Sequence, residues 1–144
     1  MQRYFEDKHA IVTGSGAGIG RALAVQLAQL GVRVAHCDVN DASDTMRAMT
    51  SHPAGHYFSR VDMGDKRAID AFVDDVLARF GTVDVLINNA GIALGDRTFE
   101  EVSEADFERI TNINYWGVVH TTQRLYPHML KRPQAAIANL SSSQ

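Results

Sequence analysis

The sequence predicts an α/β fold: a doubly wound parallel sheet of five strands with helices on both faces, in three layers. Short apolar stretches alternate along the chain with stretches in which apolar residues recur every three or four positions, which is typical of strands alternating with amphipathic helices. A glycine-rich segment, residues 13–20, joins the first strand to the first helix. The fourth apolar stretch, residues 82–87, is nearly continuous except for Asp84, as in a strand buried on both faces of a parallel sheet.

The glycine-rich segment has the composition of a phosphate-binding loop. It follows a strand at residues 10–12 and precedes a helix at residues 21–30. Glycines let the backbone approach a ligand closely, and a helix amino terminus attracts an anion. The spacing is Gly14-x-x-x-Gly18-x-Gly20, which is neither Gly-x-Gly-x-x-Gly nor the P-loop spacing that ends in Gly-Lys-Ser/Thr. The alternative is a flexible turn between a strand and a helix.

The second strand, residues 32–37, ends at an aspartate. Asp38 lies 18 positions beyond Gly20, and an acidic side chain at this place binds the adenosine ribose hydroxyls in dinucleotide sites. The alternative is a turn or helix-capping residue before the short helix predicted for residues 42–50.

The third strand and the helix after it continue the alternation. The strand covers residues 55–61 and ends in Asp62 and Met63. Asp65 then caps a long amphipathic helix, which Gly81 ends.

The fourth strand runs into the sequence Asn88-Asn89-Ala90-Gly91. Small and amide side chains at the carboxyl end of a strand suit the close approach of a ligand, and they suit a plain turn equally well. Residues 92–101 are predicted to form a loop.

A long helix opens at Ser103, where a near capping box is present. Pro127 is expected to kink or end it. Asn112 and Asn114 are unfavourable inside a helix, so we expect one of them to make a specific side-chain contact. A fifth strand follows at residues 135–140.

Composition and charge indicate one globular domain, residues 1–144, without a nucleic-acid or membrane partner. The net charge of −3 gives no general attraction to nucleic acid or to anionic membranes. The sequence has no apolar run of transmembrane length and no signal peptide. The single cysteine, Cys37, cannot form an internal disulfide, which suits a reducing cytoplasm. A proline and a glycine separate His52 from His56, so a helix cannot present both to a metal, and no metal site is predicted.

Six motifs, in order along the chain, resemble those of the short-chain dehydrogenase/reductase family. They are Thr13-Gly-x-x-x-Gly18-Ile-Gly20, Asp38, Asp62-Met63, Asn88-Asn-Ala-Gly91, Asn114-Tyr-Trp-Gly117 and Asn139-Leu-Ser-Ser142. The resemblance covers essentially all of the sequence. It implies a Rossmann-like sheet with the strand order 3-2-1-4-5.

The resemblance also implies an NAD-dependent oxidoreductase, which transfers hydride between a nicotinamide ring and a small-molecule alcohol or carbonyl substrate. Ser142 would hydrogen-bond the substrate oxygen, and Asn114 would hold a water of the proton relay. The residues implied to bind NAD are Gly14, Ser15, Gly18, Ile19, Gly20, Asp38, Asp62, Met63, Asn89, Ala90 and Gly91. The helix that opens at Ser103 resembles an oligomerisation helix of similar enzymes, so a homo-oligomer is expected.

The tyrosine and lysine that complete the catalytic group of similar enzymes have no counterpart in residues 1–144. A Tyr-x-x-x-Lys sequence should follow the serine, but the one such sequence in residues 1–144, Tyr4-x-x-x-Lys8, precedes the glycine-rich segment, and none follows Ser142. We therefore expect a fold that is incomplete at its C-terminal side, active only with residues beyond 144 and self-associating through its exposed edge. The alternative is a catalytically silent, truncated chain that binds a dinucleotide or a partner.

Overall fold

The computed structural model describes residues 2–142, in which strands and helices alternate as the sequence predicts. The sequence analysis does not anticipate a short helix at Gln2–Phe5, a 3₁₀ turn and a π-helical turn. In chain order the elements are α1 (Gln2–Phe5), β1 (His9–Thr13), α2 (Gly18–Gln29), β2 (Arg33–Asp38), α3 (Ser43–Ala48), β3 (Tyr57–Arg60), α4 (Lys66–Phe80), β4 (Val85–Asn88), a 3₁₀ turn (Phe99–Glu101), α5 (Glu104–Thr111), a π-helical turn (Asn112–Trp116), α6 (Gly117–Met129) and β5 (Ala136–Asn139).

The five strands form one parallel sheet in the order β3-β2-β1-β4-β5. This confirms the predicted order. β2 and β3 lie on one side of β1, and β4 and β5 lie on the other side. The loops that follow β1 and β4 therefore lead to opposite directions of the sheet. Ligands bind in the crevice that such a reversal leaves at the carboxyl ends of the strands.

Alternate residues of β1, β2 and β4 face two separate apolar layers. Ile11 and Leu86 pack with apolar residues of α4 and α6 on one face. Val12 and Ile87 pack with residues of α2 on the other face. Because strand side chains alternate with a period of two, and each buried aliphatic side chain contributes about 1.5–3 kcal/mol, both faces fix the strand register.

The helix termini follow local sequence signals. α2 begins at Gly18 rather than at residue 21, because the glycine run itself supplies its first turn. The Asp65 side chain accepts hydrogen bonds from two backbone N–H groups at the start of α4, and Gly81 ends that helix with a φ of +76°. Among the described residues, no helix combines the length and the apolar character needed to cross a membrane.

The long helix predicted from Ser103 is divided into three parts. Its start is confirmed, because Ser103 and Asp106 form a capping box. The interruption is the π-helical turn between α5 and α6, whereas Pro127 lies inside α6, which ends at Met129. The expected asparagine contact is present: the Asn114 amide group pairs with the backbone of Ile92.

Strand β5 forms one edge of the sheet. All four of its residues are exposed. It pairs with β4 in register, from Val85 opposite Ala136 to Asn88 opposite Asn139.

Candidate functional site

A cleft of about 450 Å³ opens at the carboxyl ends of the strands, within the range of small-molecule sites. It contains ten of the eleven residues that the sequence analysis assigns to a cofactor, and Ser15 is the exception. Those ten are Gly14, Gly18, Ile19, Gly20, Asp38, Asp62, Met63, Asn89, Ala90 and Gly91. The sequence motifs therefore come together in space, as the topology requires.

Hydrogen bonds join the loop after β1 to the loop after β4, and both loops border the cleft. The buried Thr13 hydroxyl oxygen accepts the backbone N–H groups of Asn89 and Ala90, each at 3.1 Å. In return, the Asn89 side chain donates to the carbonyl oxygens of Thr13 at 3.0 Å and of Gly14 at 2.9 Å. These bonds fix the two loops relative to each other.

The glycines of the loop serve two different purposes. A Cβ atom on Gly14, whose φ is +69°, would lie 2.7 Å from the Ala90 Cα, and one on Gly20 would overlap the Gly14 carbonyl oxygen. These two glycines permit close packing of the loops. Gly18 has a φ of +54°, and no heavy atom lies within 4 Å of its Cβ position. Gly18 therefore borders open space where a ligand can approach the backbone.

The amino terminus of α2 lies at this open position. Its N-cap residue, Ala17, makes no side-chain capping bond, and its first turn contains no acidic residue. The first N–H groups of a helix have no intrahelical partner and carry a partial positive charge. An anion such as a pyrophosphate suits this place.

Asp38 borders the cleft at the end of β2. One carboxylate oxygen accepts the Gly16 N–H at 2.8 Å, and the other accepts the Asn40 N–H at 2.9 Å. Because each carboxylate oxygen can accept more than one hydrogen bond, both oxygens keep the capacity to accept a ribose hydroxyl.

The opposite wall of the cleft combines the end of β3 with the helical segment around the π-helical turn. Asp62 accepts the Gly64 N–H at 2.8 Å, and Met63 is largely buried. Arg109 and Ile113 are the residues of this helical segment that line the cleft. Arg109 is the single positively charged residue among the described residues that line it.

The two catalytic candidates lie outside the set of residues that line the cleft. Asn114 accepts the Ile92 N–H at 2.9 Å and donates to the Ile92 carbonyl oxygen at 2.8 Å. Ser142 is exposed and follows β5. The structure therefore gathers the cofactor residues more closely than the catalytic pair, and the roles of Ser142 and Asn114 stay predictions.

Ser15 lies beneath the loop rather than in the cleft. Its side chain is fully buried, and its hydroxyl oxygen is 2.7 Å from His36 Nδ1. Ser15 thus does not line the cleft, and its part in cofactor binding stays a prediction.

The sequence model of the short chain dehydrogenase family matches residues 8–144. The chain belongs to this family. It is 38% identical over 140 residues to SadH of Mycobacterium tuberculosis, covering 96% of this chain and 50% of that protein. It is 34% identical over 141 residues to the 3-oxoacyl-[acyl-carrier-protein] reductase FabG of Staphylococcus aureus, covering 94% of this chain and 56% of that protein.

A solved structure of this family has the same arrangement of elements. The 3-ketoacyl-(acyl-carrier-protein) reductase from Brucella melitensis, complexed with NADH, superimposes with a TM-score of 0.87 at 31% identity, covering 96% of this chain and 58% of that one. The present chain thus spans about half the length of the short-chain dehydrogenases it matches.

The residues of the cleft fit the nicotinamide dinucleotide that the family binds. The open backbone at Gly18 and the uncapped start of α2 suit a pyrophosphate, and the Asp38 carboxylate suits a ribose.

The roles of Thr13 and Arg109 in the site escape the sequence analysis. Thr13 opens the glycine motif, yet its role as the anchor of the β4 loop depends on a partner 76 residues away. Arg109 gives no local signal, because an exposed arginine on an amphipathic helix is ordinary.

Proposed function

We propose that this chain is the NAD-binding part of an oxidoreductase of the short-chain dehydrogenase family, and that residues 1–144 form a single cofactor-binding domain. Its substrate would be a small-molecule alcohol or carbonyl compound. Bound NAD supplies the acceptor or donor of the hydride. The observation that carries the proposal is the convergence of an open glycine loop, an uncapped helix terminus and the Asp38 carboxylate on one cleft.

The preference for NAD over NADP rests on the charge of Asp38. A 2′-phosphate beside this carboxylate would meet a like charge, and two such charges about 4 Å apart repel by about 4 kcal/mol at an effective dielectric constant near 20. Arg60 lies opposite Asp38 in the register of β3 and β2, but it is not among the residues that line the cleft. Arg33 is bonded to the carbonyl oxygens of Gly55 and Ala54, and Arg21 does not line the cleft.

In the proposed reaction, the chain supplies part of the catalytic group. Ser142 donates a hydrogen bond to the substrate oxygen, on which negative charge develops. Asn114, held by Ile92, maintains the segment that adjoins Gly91 and takes part in the proton relay. A tyrosine acid and its lysine are not contained in residues 1–144. Because general acid–base catalysis contributes about 10²–10⁴-fold, these residues alone are expected to show no turnover.

The chain would associate with further copies of itself through the exposed side of α5, the π-helical turn and α6. Large apolar side chains are exposed on these elements, and clusters of exposed apolar side chains mark interaction surfaces. They are Phe107, Tyr115, Trp116, Tyr126 and Leu130. A cytoplasmic location accords with the buried, unpaired Cys37.

The alternative function is a catalytically silent dinucleotide-binding chain.

The test is calorimetric titration of residues 1–144 with NAD and NADP, beside an assay of NAD-linked oxidation of an alcohol panel. We expect NAD to bind at least about 100-fold more tightly, which corresponds to about 2.7 kcal/mol. Equal or tighter binding of NADP would contradict the cofactor assignment. Turnover would contradict the proposed requirement for residues beyond 144.

Two glycines provide a matched control for the place of binding. Gly18 and Gly31 both have a positive φ, and both have open space around the Cβ position. Alanine at either position should destabilise the fold by a similar amount, about 1 kcal/mol. Gly18→Ala should weaken NAD binding, whereas Gly31→Ala should not. The same loss in both variants would place the dinucleotide away from the amino terminus of α2.

A further inference from the structure

A buried group of polar side chains supports the cofactor loop from beneath. Ser15, His36 and Thr45 are each completely inaccessible to solvent. Thr45 Oγ1 donates to the Ser15 carbonyl oxygen at 2.8 Å, and the Ser15 N–H donates to the Cys37 carbonyl oxygen at 3.0 Å. The Ser15 hydroxyl oxygen lies 2.7 Å from His36 Nδ1 and 3.2 Å from the Cys37 carbonyl oxygen.

These distances assign the hydrogen positions. The single hydroxyl hydrogen of Ser15 can be donated once. If it is donated to the Cys37 carbonyl oxygen, His36 must carry its proton on Nδ1 and donate to Ser15. If it is donated to His36 instead, the imidazole hydrogen is on Nε2, which has no partner among the described residues. Nε2 lacks a partner in both forms, but the Nδ1–H form makes two hydrogen bonds, from His36 to Ser15 and from Ser15 to the Cys37 carbonyl oxygen, whereas the Nε2–H form makes one. The Nδ1–H form is therefore favoured.

This form satisfies each polar group of Ser15. Its N–H, its carbonyl oxygen and its hydroxyl group all have buried partners. Ser15 stands between Gly14 and Gly16, and glycine loses more backbone freedom than any other residue when it is ordered. A fixed residue between two glycines therefore lowers the cost of holding the loop in the shape that a ligand requires.

We propose that His36 is a positioning residue for dinucleotide binding, which holds Ser15, and with it the glycine loop, through a hydrogen bond from Nδ1. This inference rests on the proposed cofactor-binding function. Burial lowers the pKa of His36 to about 4, the nearby charge of His56 lowers it as well, and Asp38 opposes the shift. His36 is thus neutral at pH 7, which the donor–acceptor arrangement requires.

The competing explanation is that His36 only fills space in the core. Its ring lies against Phe58, with 5.1 Å between the ring centroids. A space-filling histidine could be replaced by an apolar residue with a change in stability alone. A positioning histidine should instead be replaceable by a residue that keeps the donor.

The experiment compares four variants by calorimetric titration with NAD, each below its unfolding temperature. His36→Leu and Ser15→Ala should each raise Kd by about 10-fold, the effect of losing one buried hydrogen bond. The double variant should lose no more than either single variant, because both remove the same bond. His36→Asn, whose amide can donate from near the position of Nδ1, should bind NAD within about 3-fold of the original chain. The control is His56→Gln, which alters a histidine bonded to Val34 and Thr50 outside the loop, and Kd should not change.

A second measurement reads the ligand-free protein. Nitrogen-15 NMR of the histidine rings should show the proton of His36 on Nδ1 at pH 7, and Ser15→Ala should shift this signal toward the other tautomer. A proton on Nε2 would overturn the proposal, as would equal Kd values for His36→Leu and the original chain. The proposal also fails if His36→Asn binds as weakly as His36→Leu. If the original chain binds neither NAD nor NADP, the proposed function fails and this inference with it, whereas normal binding in both His36 variants rejects the inference alone.

Discussion

The two ends of the sheet use the same residue type in opposite ways. At the amino end, Asp84 is 1% exposed. It accepts the His9 N–H at 3.0 Å and the Arg132 Nε–H at 2.7 Å, and it lies 3.8 Å from the Lys8 ammonium nitrogen. At the carboxyl end, Asp38 accepts backbone N–H groups and borders the cleft. A carboxylate surrounded by cations stabilises the fold, whereas one that borders a cleft without a paired cation can bind a ligand.

The largest expected effect concerns the amino end. Asp84→Ala leaves the Arg132 guanidinium and the His9 N–H without their carboxylate partner, and breaking a buried ion pair costs about 3–5 kcal/mol. We expect the free energy of unfolding in urea to fall by about this amount. The Kd for NAD of the folded variant should not change. A loss below about 1 kcal/mol would show that the amino end contributes no more than a surface ion pair.

The pH dependence of stability should also distinguish the two ends. Burial lowers the pKa of His36 to about 4, aided by His56 and opposed by Asp38. Between about pH 6.5 and 4 the unfolded chain therefore binds the additional proton, so stability falls as the pH falls through this window. The loss should be on the order of 3 kcal/mol, and it should be absent in His36→Asn. Urea unfolding at pH 7, 5.5 and 4 measures it, with His128→Gln as the control, since His128 lies in α6 and is not among the groups that shift the pKa of His36.

Protonation of Asp84 should lower the stability of the fold at more acidic pH than protonation of His36 does. Burial would raise the pKa of Asp84, but the His9 N–H and the Arg132 guanidinium together hold it below its usual value. The stabilisation is present above the unfolded pKa of about 3.9 and is lost as the pH falls through the folded value. The prediction is that His36 causes the loss of stability between pH 6.5 and 4 and that Asp84 acts only below this range. It is contradicted if the free energy of unfolding falls with the same slope between pH 6.5 and 4 in the original chain and in His36→Asn.

A smaller effect is expected from the carboxylate of the cleft. Asp38→Asn removes the charge that repels a 2′-phosphate, so the ratio of the NADP and NAD dissociation constants should fall by about 100-fold. The free energy of unfolding should change by less than about 1 kcal/mol, because the Asn oxygen can still accept one loop N–H. An unchanged ratio would show that Asp38 acts only as a turn residue.

The smallest effect concerns the arginine of the opposite wall. Arg109→Gln removes the single positive charge that lines the cleft among the described residues. We expect NAD affinity to fall by about 2–5-fold at low salt, the worth of an exposed charge contact, and this difference should shrink as salt is added. Lys131→Gln, which removes an exposed charge after α6, is the matched control. Equal losses in both variants would indicate a general effect of net charge.

Much of the fold follows from local patterns in the sequence. The strands, the strand order, the Asp65 cap and the Gly81 stop depend on residues close to one another in the chain or on rules of topology. The roles of Asp84 and Asp38 could not be separated in this way. Each lies in or at the end of an apolar stretch, and only the partners, 48 residues away for Arg132 and 22 for Gly16, distinguish them.

The candidate site shows the same limit. The motifs predict most of the residues that line the cleft, because each motif follows a strand and the parallel topology gathers those ends. Ser15 is placed beneath the loop by His36, a residue with no functional signal in the sequence. The interruption of the long helix also escaped prediction, since it accompanies the bond between Asn114 and Ile92, across 22 residues.

The π-helical turn sets the rotational phase of the helices on either side of it. An α-helix rotates by about 100° per residue, and a π turn accommodates one additional residue within a single turn. The faces of α5 and α6 are therefore offset, and Tyr115 and Trp116 remain 59% and 44% exposed between them. Deleting one residue of this turn would convert it into a regular α-helical turn and keep the phase of α6. Leu125 and Met129, now 0% and 4% exposed, would stay in the core, whereas deleting a residue between the turn and Leu125 would rotate them away from it.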